Sequence, residues 1–488
     1  MSSLAFVSSA TKLGAEETKT TYWPVPLISG AKLRAEDWMP PLPRLARDVS
    51  VSACDETANS AVERSRICFC LIESDLPGST YVPITVPRVD GSAKSDGTAP
   101  GLCGVRSSMP DCRRPFLMIA SLLLLIAACS PESPVEALVV DPRAKSVLVL
   151  YNASAPESRE IVDHYVKARG IPAGNVLSVK VASGENISKS EYKTGIVEPV
   201  AKKIAGLKDR IDFILLIRGM PIRLDHEYGH SMDASLMVDA HPMRKGAPLE
   251  WWAGPKRDGD SVSIDPKVVQ PFTNTYGGAD EAFDSSKYGM YLVTRLDAYT
   301  VAQTKKMIDN SVQAKPLKGL FLLDSAPDRE AGGYGAVQRW MVPAENLLEK
   351  KGMRVEHDKS RLFIGDKAGV MGYAGWGSND SAFVPSLYKS IRFAPGGIAE
   401  TFVSTSGRTF RPTTGGQSLI ADLIAQGATG VKGYVSEPYT FALCRVDVLF
   451  DRYTSGRNLA ESFWSATPLL KWKDVVIGDP LCAPYAAR

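Results

Sequence analysis

The sequence predicts an α/β protein in which a mostly parallel sheet is flanked by helices. From Lys145 onward, short β-branched runs alternate with helical stretches, and strands that are apolar on both faces and separated by helices are typical of parallel sheets. With 488 residues, 44% of them hydrophobic and 23% charged, the chain can also bury a sizeable core. We therefore expect a globular protein.

The first half of the predicted domain contains three strands and two helices. Gly170 ends the first helix, as expected of a residue that tolerates the left-handed conformation. In chain order we predict a strand at Ser146–Asn152, a helix within 157–170, a strand at Val176–Val181, a helix from about Ser188 to Leu207 and a strand at Asp212–Gly219.

The second half repeats this alternation after an insertion at 220–287, which is rich in Gly, Pro, His and Asp and has little periodicity. We predict two similar halves, at about 145–219 and 290–488. The predicted helices are 302–313, about 335–351, 417–426 and 459–466, and the strands are 319–325, 370–376, 398–406 and 430–438, followed by a closing segment that begins at Asp474.

The charge balance disfavours a nucleic-acid partner. The 57 Lys and Arg residues are nearly offset by 54 Asp and Glu residues, which leaves a formal charge of +3. A protein that binds nucleic acid through bulk electrostatics normally carries a larger positive excess.

The apolar run at 116–127 predicts an export signal. At about 12 residues it is too short to span a bilayer, which needs roughly 20. Arg113 and Arg114 precede the run and Ala127-Ala128-Cys129 follow it, which is the order of a charged region, an apolar region and a small-residue cleavage site. The last residues resemble a bacterial lipobox, so we predict lipidation at Cys129.

The position of this signal predicts where the native chain begins. A signal must be N-terminal, and Met109 lies four residues before Arg113, so we interpret 1–108 as mis-assigned upstream translation without a fold, 109–129 as the signal and 130–144 as a tether. Ser130 follows the lipidated cysteine, which favours an outer-membrane lipoprotein exposed to the periplasm or the cell surface. The membrane is then a partner through the lipid, and Cys444 and Cys482 are the remaining thiols.

Polar loops follow four of the predicted strands. Ligands of open α/β sheets collect at the carboxyl ends of strands, so the loops that begin at Met220, Gly375, Ser404 and Ser436 define a candidate site. We expect Arg408 to bind an acidic group through its forked donors. The candidate ligand-binding residues are Asp233, Trp376, Asn379, Asp380, Arg408 and Glu437.

The insertion offers a possible divalent metal site. His226 to His230 matches HExxH, but Pro221 and Gly229 argue against the helix that this zinc motif needs. A looser site from His226, His230 and His241, with Asp233 and Asp239, remains chemically possible; an exposed polar loop is the alternative.

The mature region resembles an uncharacterised family of exported bacterial proteins found in species with the PEP-CTERM sorting system. The likeness rests on motifs such as ILLIRGMPIR, GWGSND, ETFVSTSGRTF and VVIGDPLCAPY and covers 145–485. This family has no established activity, so the resemblance implies export and leaves function open.

A more distant resemblance is to gingipain and caspase-like cysteine peptidases, which implies a caspase-like arrangement of the sheet. Those enzymes place a catalytic His in a turn after one strand and a catalytic Cys after the next. In this sequence Trp376 stands at the His position, and Thr405 or Ser406 at the Cys position. Without a base a hydroxyl is a poor nucleophile. We expect either a degenerate peptidase that binds a peptide or a glycan, or a hydrolase that uses Ser406, Thr405, an Asp or a metal.

Overall fold

The computed structural model describes residues 141–225, 228–244, 249–258 and 261–487. The predictions for 1–108, for the signal at 109–129, for Cys129, for most of the tether and for His226 fall outside these residues. None of the helices within the described ranges has the length and apolar character needed to cross a bilayer.

The described chain alternates strands and helices, as predicted. The strands are β1 Val147–Asn152, β2 Val176–Val179, β3 Asn186–Ile187, β4 Phe213–Ile217, β5 Arg223–Leu224, β6 Lys256–Asp258, β7 Ser261–Ser263, β8 Leu292–Leu296, β9 Leu320–Asp324, β10 Arg354–Asp358, β11 Val370–Gly375, β12 Phe393–Thr401, β13 Gly430–Tyr434 and β14 Asp474–Gly478. The helices are α1 Ser158–Arg169, α2 Lys189–Tyr192, α3 Glu198–Ala205, α4 Met232–Asp239, α5 Pro266–Val269, α6 Ser285–Tyr288, α7 Val301–Val312, α8 Gly332–Gln338, α9 Met341–Lys350, α10 Pro385–Tyr388, α11 Ile420–Ala425, α12 Val446–Thr454 and α13 Leu459–Ser465.

Ten strands form one sheet in the order β10-β9-β11-β12-β13-β14-β8-β4-β1-β2. Neighbouring strands are parallel except β13 and β14, which are antiparallel. The sheet therefore consists of two parallel blocks that run in opposite directions. This mostly parallel sheet flanked by helices confirms the predicted α/β class.

Four strands of each block follow the same order. In each block the strand that comes second in the chain lies outermost, followed by the first, third and fourth, as in β2-β1-β4-β8 and β10-β9-β11-β12. β8 pairs with β4 in the first block. β8 therefore belongs to the first block, and the division into two similar halves at about 145–219 and 290–488 stays a prediction.

Burial explains which strands the sequence pattern revealed. β4 and β9 are buried along their whole length and read as continuous apolar runs. β10 is an edge strand whose residues are exposed or half-buried, so its sequence RVEHD lacks the apolar run by which a central strand is recognised. The insertion at 220–287 is also more ordered than a loop, since it carries α4, α5, α6 and short strands.

Candidate functional site

The carboxyl ends of β9, β10, β11 and β12 lie at the same edge of the sheet because these four strands are parallel neighbours. Asp358, the last residue of β10, pairs with Asp324, the last residue of β9. The next residue, Ser325, continues this pairing by donating its backbone N–H to the Asp358 carbonyl at 3.0 Å. The side chains that end β9 and β10 are therefore held close together.

A serine, a histidine and a glutamate form a hydrogen-bonded chain at this edge. Ser325 Oγ lies 2.8 Å from His357 Nε2, and His357 Nδ1 lies 2.7 Å from Glu345 Oε2. His357 belongs to β10, while Glu345 lies on α9, which packs against that strand. The order of nucleophile, base and orienting carboxylate matches the geometry of a catalytic triad.

The alternation of side chains along a strand determines which of them can take part in this series of hydrogen bonds. Successive side chains of a strand point to opposite faces of the sheet, so Ser325 shares a face with Leu323 and not with Asp324. Leu323 is in register with His357, which places the serine and the histidine on the same face. Helix α9 covers that face, since Met341 Sδ lies 3.4 Å from Ser325 Oγ.

The protonation states favour a neutral histidine. Burial lowers the pKa of His357 below its ordinary value, and the contact with Glu345 only partly opposes this effect. Burial acts to raise the pKa of Glu345, but hydrogen bonds from His357 and Lys359 outweigh it and lower that pKa overall. An ionised carboxylate can only accept a hydrogen bond, so Nδ1 carries the proton and Nε2 accepts the Ser325 hydroxyl.

A cavity of about 370 Å³ opens beside the hydrogen-bonded Ser325 and His357. Ser325 and His357 both line it, so a ligand in the cavity would meet the serine hydroxyl. The His357 side chain is only 2% exposed and that of Glu345 is 22% exposed, which shields the hydrogen bond between them from water. The other lining residues are Pro327, Glu330, Gly335, Gln338, Arg339, Val342 and Lys359.

The opposite face at the same strand end holds a buried acid. Asp324 is 1% exposed, and among the described residues neither of its carboxylate oxygens has a hydrogen-bond partner. Burial, with smaller contributions from Asp380 and Asp358, raises the pKa of Asp324 to about 8. The Asp324 carboxyl is therefore largely protonated at neutral pH.

The loops that follow the neighbouring parallel strands β11 and β12 are joined. Asn379 donates to the Phe402 carbonyl at 2.7 Å and accepts from Gln417 at 2.8 Å. Thr405 Oγ1 donates to the same Gln417 side chain at 2.7 Å. Asn379 and Thr405 thus belong to one network that ties the two loops together.

Trp376 lies inside the turn that follows β11. Its side chain is 1% exposed, and its indole N–H donates to Gln338 Oε1 at 2.7 Å. The next residue, Gly377, has a φ of +48°, and a Cβ there would lie 2.8 Å from Ser418 Oγ. The turn requires a glycine at this position for both reasons.

Arg408 is held by backbone oxygens in the described structure. It donates to the carbonyls of Thr405 at 3.1 Å, Gln417 at 2.7 Å and Gly415 at 2.7 Å. Two other candidate ligand-binding residues, Asp233 and Glu437, contact residues other than Arg408: Asp233 pairs with Arg295, and Glu437 accepts the backbone N–H of Tyr439.

Ser406 and Asp380 are both buried. Ser406 Oγ has no hydrogen-bond partner in the part of the chain that is described, and it lies 2.7 Å from the point where a Cβ on Gly433 would sit. Asp380 Oδ1 accepts the Ala382 N–H at 2.7 Å. The roles predicted for these two residues stay predictions.

The candidate metal ligands in the insertion contact other side chains. His230 packs edge-on against Trp472, with ring centroids 5.2 Å apart, and His241 packs against Tyr291. Asp239 pairs with Lys471 at 2.6 Å. Tyr228 lies in a turn, and Gly229 and His230 have no regular secondary structure. No group of three or more His, Cys, Asp or Glu within the described ranges is arranged to hold a metal.

The loop after β4 contacts the loop after β13. Although β4 runs opposite to β13, Arg223 donates to the Val435 carbonyl at 2.9 Å, and Ser436 Oγ donates to the Gly229 carbonyl at 2.6 Å. All four predicted loops therefore take part in contacts with a partner loop. Cys444 and Cys482 are separate, buried free thiols.

Ser325, His357 and Glu345 are not among the candidate residues that the sequence patterns indicated. Ser325 was within a predicted strand, and one signal was present: of the histidines that the structure describes, only His357 lies on a strand of the second block. Glu345 could not have been singled out, because many exposed helix positions carry the same residue type.

Comparison with known proteins gives likenesses among solved structures alone. No family model and no curated protein matches the chain. Gingipain R, an Arg-specific cysteine proteinase, is similar over 70% of this chain and 79% of its own, with 12% identity and a TM-score of 0.38. The complex of RgpB pro- and mature domains from Porphyromonas gingivalis is similar over 69% of this chain and 79% of its own, with 12% identity and a TM-score of 0.38. A third structure, described as a protease, is similar over 71% of this chain and 80% of its own, with 13% identity and a TM-score of 0.39.

Sequence identities and TM-scores this low leave the activity of this protein open. The α/β class rests on the sheet itself, and the resemblance to an exported bacterial family stays a prediction.

Proposed function

We propose that this protein is a serine hydrolase that cleaves carboxylic esters or amides, with Ser325 as nucleophile, His357 as general base and Glu345 as the residue that orients the base. The observation that carries this proposal is the continuous hydrogen-bonded chain from Ser325 Oγ through the imidazole to the carboxylate, at 2.8 and 2.7 Å. Ser325 and His357 line a cavity in which a substrate could bind.

The reaction would proceed in two acyl-transfer steps. Ser325 Oγ attacks the substrate carbonyl carbon while its proton passes to His357 Nε2, and Glu345 stabilises the imidazolium that forms. The imidazolium then gives this proton to the leaving alcohol or amine, which departs as the acyl-enzyme is made. Water repeats the sequence with His357 as base, and the carboxylic acid and free Ser325 are released.

The position of the triad distinguishes this proposal from the site first predicted at Ser406 and Thr405. Ser406 has no histidine among its described contacts, and a serine hydroxyl without a base is a poor nucleophile. Ser325 has a base within hydrogen-bond distance. The alternative expected from the sequence, a hydrolase that uses a serine, is therefore favoured over a binding module, with a different serine in the role.

Active-site labelling tests the proposal. A fluorophosphonate probe should label the wild-type protein, and peptide mapping should find the label on Ser325. Ser325→Ala should abolish labelling and the hydrolysis of p-nitrophenyl esters, and His357→Gln should lower both at least about 10³-fold. Ser183→Ala and His164→Gln, which change a serine and a histidine outside the triad, serve as controls. A wild-type protein that is neither labelled nor active on esters or amides would refute the proposal.

Anchoring to the cell envelope is a separate proposal that rests on the sequence. The charged, apolar and small-residue order that ends at Cys129 supports it. Cys129→Ser should release the protein from membranes and abolish incorporation of a clickable palmitate. Labelling that persists in this variant would contradict lipidation at Cys129.

A further inference from the structure

We infer that Gln338 is the oxyanion-binding residue of this site, donating its side-chain N–H to the substrate oxygen that becomes negative during attack. This inference rests on the proposed hydrolase function and assigns a role that the triad itself leaves open. A triad supplies nucleophile and base, but the charge on the former carbonyl oxygen needs a donor of its own.

Two fixed donors bind the Gln338 side-chain oxygen. The backbone N–H of Ala326 donates to Gln338 Oε1 at 2.8 Å, and the indole N–H of Trp376 donates to the same atom at 2.7 Å. Both groups can only donate. The atom they share must therefore be the oxygen, so the orientation of the amide follows from its contacts and is not an arbitrary assignment.

The other end of this amide is consequently directed away from Ala326 and Trp376. The Gln338 nitrogen makes no hydrogen bond to another residue of the described chain, and it is not among the buried, unsatisfied atoms. Gln338 is half-buried and lines the cavity that Ser325 and His357 also line. Its two N–H donors are thus available to a ligand in that cavity.

The same contacts place the amide next to the nucleophile. Ala326, which donates to Gln338, is the residue that follows Ser325 in the chain. The hydrogen bond therefore ties the helix that carries Gln338, α8, to the loop that begins at Ser325. Because the oxygen already has two donors, the amide would need little reorganisation when charge develops on the substrate, and such preorganised donors contribute most to this kind of catalysis.

No proton is transferred in this role. As Ser325 Oγ bonds to the carbonyl carbon, the electron pair of the C=O double bond moves onto its oxygen, and Gln338 Nε2–H donates a hydrogen bond to it. The pair returns when the leaving group departs. Gln338 therefore contacts the reacting atoms in both acylation and deacylation, and its loss should lower kcat more than it raises KM.

Gln338→Glu separates donation from positioning. The glutamate can still accept from Ala326 and Trp376, so the loop keeps its anchor, but it has no N–H to offer. We expect kcat on a p-nitrophenyl ester to fall about 10² to 10³-fold with KM and thermal stability near wild type. Binding of phenylboronic acid, whose adduct with Ser325 is an anionic tetrahedron, should weaken in parallel. Gln313→Glu, at an exposed position after α7, is the matched control.

The pH dependence tests whether the loss comes only from a raised pKa of His357. A new carboxylate near His357 would raise the pKa of the imidazole, and a loss due to that shift alone would disappear at higher pH. Full recovery of kcat at pH 9, or a Gln338→Glu enzyme within about threefold of wild type at all pH values, would overturn the inference while Ser325→Ala remained inactive. A wild-type protein without esterase, amidase or fluorophosphonate reactivity would instead refute the proposed function, and this inference with it.

Discussion

Glu400→Gln should remove the decline in stability that we expect the buried Glu400 to cause as pH rises. Glu400 is fully buried in β12, where Oε1 accepts the Tyr434 hydroxyl at 2.7 Å and Oε2 has no partner in the described chain. Burial raises the pKa of Glu400 from 4.5 to about 8, although Lys432 and the hydrogen bond from Tyr434 act in the opposite direction.

The sign and the size of the effect follow from this shift. Glu400 keeps its proton in the folded protein above pH 4.5, whereas an unfolded chain loses it, so the stability is fully present below pH 4.5 and is lost as pH rises toward 8. Each pH unit between these two pKa values changes the free energy of unfolding by about 1.4 kcal/mol. Between pH 5 and pH 7 the decline due to Glu400 is about 2.5 kcal/mol.

Urea unfolding at a series of pH values measures this decline. Glutamine has the shape of the protonated acid but no proton to lose. The free energy of unfolding of Glu400→Gln minus that of the wild type should therefore increase by about 2.5 kcal/mol from pH 5 to pH 7. Glu198→Gln, at an exposed position of α3, is the matched control. A difference that stays flat across this range would show that Glu400 ionises inside the fold, and the reasoning from burial would be wrong.

Three further predictions follow from individual contacts. Asp233→Asn should lower the free energy of unfolding by about 3–5 kcal/mol in urea, because the fully buried Arg295 loses the carboxylate that it contacts at 2.5 Å and keeps only Asp297 at 3.8 Å; a cost below about 1 kcal/mol would contradict a structural role. Arg408→Ala should cost about 1.5–3 kcal/mol, since its guanidinium donates to three backbone carbonyls, and unchanged stability would instead favour the predicted ligand role. The rate of fluorophosphonate labelling should fall as His357 becomes protonated, with a midpoint below about 6.5 because burial lowers that pKa; a midpoint above this value would be inconsistent with a buried base.

Much of the architecture was predictable because burial leaves a local pattern. β4 and β9 are covered on both faces. Burial therefore favours an apolar residue at nearly every position, and each strand is recognisable in the sequence as a continuous apolar run. The helices at 302–313 and 459–466 were recognisable from their spacing and match α7 and α13 to within one residue at either end.

Other elements gave weak local signals for physical reasons. β10 lies at the edge of the sheet and is only partly covered, so four of its five residues are polar. β8 lies in the centre of the sheet, but Thr294 and Arg295 interrupt its apolar run. Arg295 is fully buried there because Asp233 and, at a longer distance, Asp297 offset its charge. A buried arginine is understandable only when its partner, 62 positions earlier, is seen beside it.

The candidate site shows the same division. The sequence alone predicted the α/β class and the polar ends of several strands, since each of these depends on residues close together in the chain. The partnership of Ser325, Glu345 and His357 was decided by tertiary structure: the register of β10 on β9 and the packing of α9 bring together residues as far as 32 positions apart. Periodicity reports whether a segment is buried, but the identity of a side chain's partner depends on strand order and helix packing, which no local pattern records.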